Sequence, residues 1–309
     1  MKNLNVFSYL FLASTLLLFA CQDSELSVPE ENIPTAKEEM ALDLQQTLKA
    51  EQVTYPNVNK HVKKSLFGKE LEMLALTDGT FAMGDMVFTD EYLNATNKAA
   101  NKTVFDRRVR SWPSSTLIYW HASNLPQFMK NRIANAAREI SNKTDLNVRF
   151  YRDGDPHYVH IRYAEDNGCS AQVGYLRDSS RSISSQRMTL GKNCSQGTVM
   201  HEFLHSAGIH HEQNHWNRDR YIQVWFQSII DDKEFNYTKI SDADGGEYRD
   251  VVDRNSIMMY GSLFWQTPQA KANNWMTMAW KEPNGGFSQI IPNRSALSSG
   301  DIAALNWWY

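Results

Sequence analysis

Apolar positions fall into three regimes along the chain. The first, residues 6–20, is an almost unbroken apolar run interrupted by Ser8, Ser14 and Thr15. It is too short to cross a bilayer comfortably, and with Lys2 ahead of it the run has the shape of an export signal. The second regime, residues 22–102, is polar and charged. It shows weak helical patterning at 38–49 and few large apolar residues before 66–88. Such a stretch cannot enclose a core of its own and orders only against something larger. Its Asn/Lys/Ala-rich end, 94–102, reads as an exposed, cleavable linker. In the third regime the periods become clear. Residues 117–120 read as a strand. Ser123 or Asn124 caps a helix with Pro126 in its first turn and Phe128, Met129, Ile133, Ala136, Ala137 and Ile140 at helical spacing. Residues 148–151 and 158–163 then alternate as half-buried strands around an Asp-Gly-Asp-Pro turn. Strands and helices mix in an α+β pattern.

Within this third regime one stretch carries chemistry: His201, Glu202, His205, Gly208, His211 and Glu212, on a helix that starts near Gln196. On a helix, His201 and His205 stand four residues apart on one face and can grip one ion. Gly208 permits a left-handed end, after which the chain turns and His211 returns as third ligand. His210 is the nearest competitor, and the spacing selects His211; His210 and His215 read as ordinary polar residues. Three imidazoles leave a fourth position open for water, the arrangement of a catalytic zinc ion, with Glu202 placed to take the water's proton. About fifty residues on, Ser256-Ile257-Met258-Met259-Tyr260-Gly261 has the form of a turn whose Met258 packs beneath the imidazoles, with the Tyr260 phenol near the metal.

Taken together, these motifs resemble the astacin family of metzincin zinc peptidases, from about Trp112 to the C-terminus. Glu212 directly after the third histidine, Arg218-Asp219 and Tyr221-Ile222 beyond it, and the closing Leu297-Ser298 to Asp301-Ile302 carry the likeness. The resemblance implies a zincin-like, two-lobed catalytic domain. Its upper lobe holds a twisted sheet and the active-site helix, and its lower lobe, from Ile209 onward, holds the Met-turn. It implies Tyr260 as stabiliser of the oxyanion and Glu212 as a structural acid that anchors the mature N-terminus. It also implies a latch in which an aspartate fills the open zinc position; Phe81-Ala82-Met83-Gly84-Asp85 matches with one residue more than the family pattern, making Asp85 the candidate. Two further departures are Met259 in place of the histidine usual before the tyrosine, and the absence of a second disulfide.

The cysteines change the picture in two places. Cys169 and Cys194 form an even pair in an exported chain and read as one disulfide. Cys21, after Leu18-Phe19-Ala20, resembles the lipobox cysteine of bacterial lipoproteins, which is acylated. As a thiolate it would be a rival zinc ligand, a role that acylation excludes. Composition adds limits: 309 residues, 42% hydrophobic and 22% charged, supply one large or two modest cores, and a net charge of -3 with no basic stripe speaks against nucleic acid as partner.

The expected organisation is therefore a signal with lipobox over 1–21, a pro-segment and linker over 22–102, and a zinc peptidase domain over 103–309. One Zn2+ per chain, protein or peptide substrates, an activating protease and a membrane anchored through Cys21 are the expected partners. The expected place is the bacterial outer membrane or cell surface, with the catalytic domain released on activation. A catalytically silent surface lipoprotein that binds protein in the same cleft is the alternative, and Glu202 argues against it. A metalloesterase or amidase on the same site is a third reading.

Overall fold

The computed structural model describes residues 58–100, 111–164, 168–240 and 251–309, with Lys49 and Tyr55 besides. The export signal and Cys21 lie outside the described residues, as does the stretch 38–48. Among the described residues no helix is long and apolar enough to cross a membrane.

A single nine-stranded sheet organises the upper part of the molecule. Its strands in chain order are β1 (His61–Leu66), β2 (Lys69–Ala75), β3 (Phe81–Met83), β4 (Met86–Phe88), β5 (Thr116–His121), β6 (Asn147–Phe150), β7 (His157–Tyr163), β8 (Ser170–Gln172) and β9 (Ser184–Leu190). In space the order is β1-β2-β3-β4-β8-β9-β7-β5-β6. The first four strands form an antiparallel meander, and β4 joins β8 in parallel through Met86 opposite Ala171 and Val87 opposite Gln172. Residues 61–88 of the polar second regime thus form a sheet extension. The pattern HVKKSL-KELEMLA concealed it because in β1 only Leu66 is buried and in β2 only Leu71, Met73 and Leu74. Its apolar side is completed by the rest of the chain: Leu66, Met73, Phe81, Met86 and Phe88 pack with Val173, Leu176, Phe235 and Ile240. That agrees with a segment unable to build a core alone.

The expected linker is corrected in part. Helix α1 (Asp90–Ala100) covers most of it, with Thr96 buried and Asn97 tied to Ser65 O and the Gly68 N–H of the β1–β2 turn. A polar composition concealed a helix whose large buried residues, Tyr92 and Leu93, lie ahead of the stretch 94–102 and leave it only Thr96 as a buried position among the described residues. Residues 101–110 lie outside the described residues.

The main core lies between the sheet and two helices, α2 (Gln127–Lys143) and α3 (Gln196–Ser206). Met129, Ile133, Ala136, Ala137 and Ile140 form the buried stripe of α2 as the periodicity required, each large side chain contributing about 1.5–3 kcal/mol on burial. Two details differ. Pro126 is the cap residue rather than part of the first turn, because its ψ of 140° is extended. Phe128 faces solvent at 44% exposure, lying against Tyr163 and the Arg132 guanidinium. Helix α3 begins at Gln196, capped by the Ser195 hydroxyl, which accepts from the Thr198 N–H at 3.2 Å.

Below these elements the chain becomes irregular, with a small antiparallel sheet of β10 (Ile222–Val224), β11 (Met278–Lys281) and β12 (Phe287–Gln289) and a short helix α4 (Pro268–Ala272). A third core of Ile222, Tyr237, Met259, Tyr260, Phe264 and Trp280 sits here. Helix α5 (Ser299–Trp308) closes the chain with a capping box between Ser298 and Asp301. The α+β, two-lobed, zincin-like class expected from the sequence is the architecture observed.

Candidate metal centre and active site

Helix α3 projects His201 and His205 from one face, both fully buried. Gly208, at φ +102°, ends the helix in the left-handed region, and the chain returns to place His211 opposite. The Nε2 atoms of His205 and His211 lie 3.1 Å apart, and those of His211 and His201 3.3 Å. The His201 and His205 rings are fixed from behind: His201 Nδ1 donates to Ile257 O at 2.8 Å and His205 Nδ1 to Ile209 O at 2.7 Å. Those protons on Nδ1 leave the Nε2 lone pairs facing inward. Burial, with the charge of His205 adding, pushes His201 down to about 4; burial also lowers His211. The Nε2 atoms of the three imidazoles thus converge on one point, a donor arrangement suited to a cation.

The fourth donor comes from the sheet extension. Asp85, fully buried, brings Oδ1 to 2.8 Å from His211 Nε2 and Oδ2 to 3.2 Å from His201 Nε2. Burial alone would raise its carboxyl, but His211 and the other two imidazoles hold it well below the usual carboxylate range. Asp85 and the three histidines each place one donor atom within 4.8 Å of all the others. A tetrahedron with metal–nitrogen bonds of 2.0–2.1 Å has edges of about 3.3 Å, which the 3.1 and 3.3 Å nitrogen separations match. The donor set fits one zinc ion.

Glu202 is fully buried beside His201 on α3. Tyr260 donates its hydroxyl to Asp85 Oδ1 at 3.3 Å, and its ring centroid is 4.5 Å from that of His211. Gly84 is held at φ +67°, and a Cβ there would stand 2.2 Å from Tyr260 Oη. The glycine is what lets the chain pass this close. Met258 is buried in the main core, and its carbonyl accepts the Glu212 N–H at 3.1 Å. Glu212 accepts the Asp253 N–H at 3.1 Å, and burial pushes its carboxyl up to about 8. Cys169 and Cys194 form the expected disulfide, with an S–S distance of 2.06 Å. His210 is not an ordinary surface polar residue: it packs edge-on against Phe67 and Tyr92, and Tyr92 Oη lies 3.3 Å from its Nε2.

Three supports were not read from the sequence. Asp301 accepts from Ser256 Oγ at 2.6 Å and from the Ile257 N–H at 2.9 Å, so the cap of α5 also shapes the turn under the histidines. Arg294 donates to Ile257 O at 2.8 Å, the same carbonyl that orients His201. Trp112 Nε1 donates to Ser206 O at 2.7 Å, and Tyr309 Oη donates to Ala207 O at 2.6 Å, tying both ends of the domain to the last turn of α3. No local spacing marks these residues, since each acts across many residues of chain.

A zincin fold with three histidines on and just beyond its helix, a glutamate beside the first and a methionine turn whose Ile257 carbonyl orients His201 defines a zinc metallopeptidase of the metzincin class. A sequence model of the Astacin peptidase family matches residues 104–309, two thirds of the protein, and the chain belongs to the astacin family. Zinc metalloproteinase nas-4 of Caenorhabditis elegans is 30% identical over 242 residues, which cover 75% of this chain and 70% of that protein. Human meprin A subunit beta is 28% identical over 199 residues, 64% of this chain and 26% of its own length. Zinc metalloproteinase nas-39 of C. elegans is matched over only 22% of its length, so the chain spans about a quarter or less of these two longer relatives. Among solved structures, high choriolytic enzyme 1, a hatching enzyme zinc-protease from the medaka Oryzias latipes, superposes with a TM-score of 0.51 at 22% identity, covering 63% of this chain and 90% of that one. That likeness bears on the fold.

Proposed function

We propose that the chain is the latent precursor of an exported zinc metalloendopeptidase. The observation that carries this reading is Asp85: a carboxylate from outside the family-matched region completes a buried three-histidine donor set next to Glu202. His201, His205 and His211 hold the zinc, and Asp85 is the fourth ligand of the resting form. With residues 22–102 removed, zinc held by the three histidines would polarise the scissile carbonyl and lower the pKa of water. Glu202 then takes the proton of the attacking water and passes it to the leaving amine. The Tyr260 hydroxyl, freed from Asp85, donates a hydrogen bond to the oxyanion. Met258 supports the ligand turn, Glu212 orders the chain around Asp253, and the disulfide holds β8 and its neighbour loop to the start of α3.

Protein or peptide substrates follow from the family, and an activating protease follows from the need to sever the chain near residues 101–102. Export rests on the apolar run at 6–20, and lipidation of Cys21 would place the precursor on a bacterial outer membrane or cell surface until cleavage releases the catalytic part. The test uses the zinc-loaded full chain before and after limited trypsin treatment, assayed on casein beside Glu202→Ala. One zinc per chain, cleavage only after trypsin, and a loss of about 10²–10⁴-fold in the Glu202→Ala protein are expected. Zinc without cleavage in any form would instead support the silent binding lipoprotein.

A further inference from the structure

Asn236 stands apart from the polar residues so far described. It is 2% exposed, yet among the described residues neither its Oδ1 nor its Nδ2 has a hydrogen-bond partner. A buried amide in this state is unfavourable, and a folded protein rarely keeps one without a use for it. Its backbone is pinned on both sides. Phe235 is packed into the core shared with the sheet extension, and Tyr237 into the lower core, where its hydroxyl donates to Phe264 O at 2.8 Å. The Asn236 carbonyl itself accepts from Asn214 Nδ2 at 2.8 Å. The carboxamide is therefore held in place and aimed at the cleft. A Cβ on Gly84 would lie 3.6 Å from Asn236 Oδ1 and 2.2 Å from Tyr260 Oη, so the bare backbone of Gly84 fills the space in front of both side chains.

We infer that Asn236 is a substrate-binding residue whose Oδ1 accepts a main-chain N–H of the bound peptide, one peptide unit away from the reacting carbonyl, once Gly84 has left. The inference rests on the peptidase reading. Gly84 is the neighbour of Asp85, the residue at the donor cluster, and so marks the place of the residue adjacent to the reacting one. Gly84 leaves Oδ1 unsatisfied, whereas a peptide that turns a main-chain N–H toward Asn236 satisfies it. The latent form thus keeps a recognition group in an unfavourable state that substrate relieves. A contact made to a peptide unit next to the reacting one acts equally in the bound and transition states.

The experiment compares Asn236→Leu and Asn236→Asp with the unaltered protein, as zinc-loaded full chain and after trypsin activation. In the activated form Asn236→Leu should lose about tenfold to a hundredfold in kcat/KM on a fluorogenic peptide, carried by KM, with zinc content unchanged, while Asn236→Asp, which keeps the acceptor oxygen, should lose less. In the precursor, Asn236→Leu should raise Tm by about 2–4 °C, because it removes the unsatisfied amide from a buried place. A merely structural role would lower Tm in both forms and leave KM unchanged, and that result overturns the inference. So would a fall confined to kcat. If the activated unaltered protein cleaves nothing, the peptidase reading fails on its own; the precursor Tm and the affinity of the activated form for the same labelled peptide still decide Asn236.

Discussion

Gly84→Ala tests how closely the latch is built. Two costs follow from the geometry. At φ +67° an alanine incurs the left-handed penalty of about 1–2 kcal/mol. Its Cβ would also lie 2.2 Å from Tyr260 Oη, a separation no real structure keeps, so either the chain or the phenol must shift, at about 1–3 kcal/mol. Together these weaken docking of Asp85 by about 2 to 5 kcal/mol, a factor of roughly thirty to several thousand in the open population. On the proposed latent reading, uncut, zinc-loaded Gly84→Ala precursor should therefore cleave a fluorogenic peptide measurably more than the unaltered precursor, and should melt earlier. Combination with Tyr260→Phe separates the two costs. Without Oη the nearest atom is Cζ at 3.5 Å, an ordinary contact, so the loss of Tm caused by Gly84→Ala should shrink in that background to the backbone penalty alone. A Gly84→Ala precursor as silent and as stable as the unaltered protein would refute the reasoning, as would equal losses of Tm in both backgrounds.

Two further outcomes follow. Replacing Cys169 and Cys194 together by alanine opens a loop of sequence separation 25, at a cost of about 3 kcal/mol; calorimetry should show Tm lower by about 6–12 °C, and an unchanged Tm would mean that burial of both residues alone holds this region. His157 lies between Trp112 and Tyr175, with Nδ1 2.7 Å from Ser184 Oγ and Nε2 2.9 Å from Gln186 Oε1. Burial lowers its pKa, opposed by the Gln186 bond. The folded state therefore binds fewer protons than the unfolded state below about pH 6.5, and stability contributed by neutral His157 is lost as pH falls from there toward the folded pKa. Tm measured against pH should decline less steeply on the acid side in His157→Gln, and an identical slope would assign the acid sensitivity elsewhere.

What the sequence disclosed, and what it did not, divides by distance along the chain. The zinc donor set was legible because His201, Glu202 and His205 share one helix and His211 follows after a single glycine turn, so their relation is set by local geometry. Asp85 was legible through its Gly-Asp pair in spite of the extra residue before it. Strands β1 to β4 were not, since their apolar residues satisfy no period until Val173 and Leu176 of the later chain cover them. The end of helix α1, residues 94–100, was read as linker because its only buried contact among the described residues is made by Thr96 and its polar Asn97 caps a turn, while the apolar anchors Tyr92 and Leu93 precede it. Asn236 carried no signal at all: an asparagine in an irregular stretch acquires meaning only when its surroundings fail to satisfy it.

On the proposed reading, in which the N-terminal segment is removed, the seam between β4 and β8 has a consequence for the molecule left behind. Only two register pairs cross it, with Ala171 N–H donating to Asp85 O at 3.1 Å and Val173 N–H to Val87 O at 2.9 Å. Departure of the first four strands turns an interior strand into a raw border of the sheet. At three residues, Ser170–Gln172, that border is too short to recruit a neighbouring molecule into a growing stack, and the disulfide at Cys169 tethers one of its ends. The same brevity that makes the cover separable keeps the uncovered protein from sticking to itself.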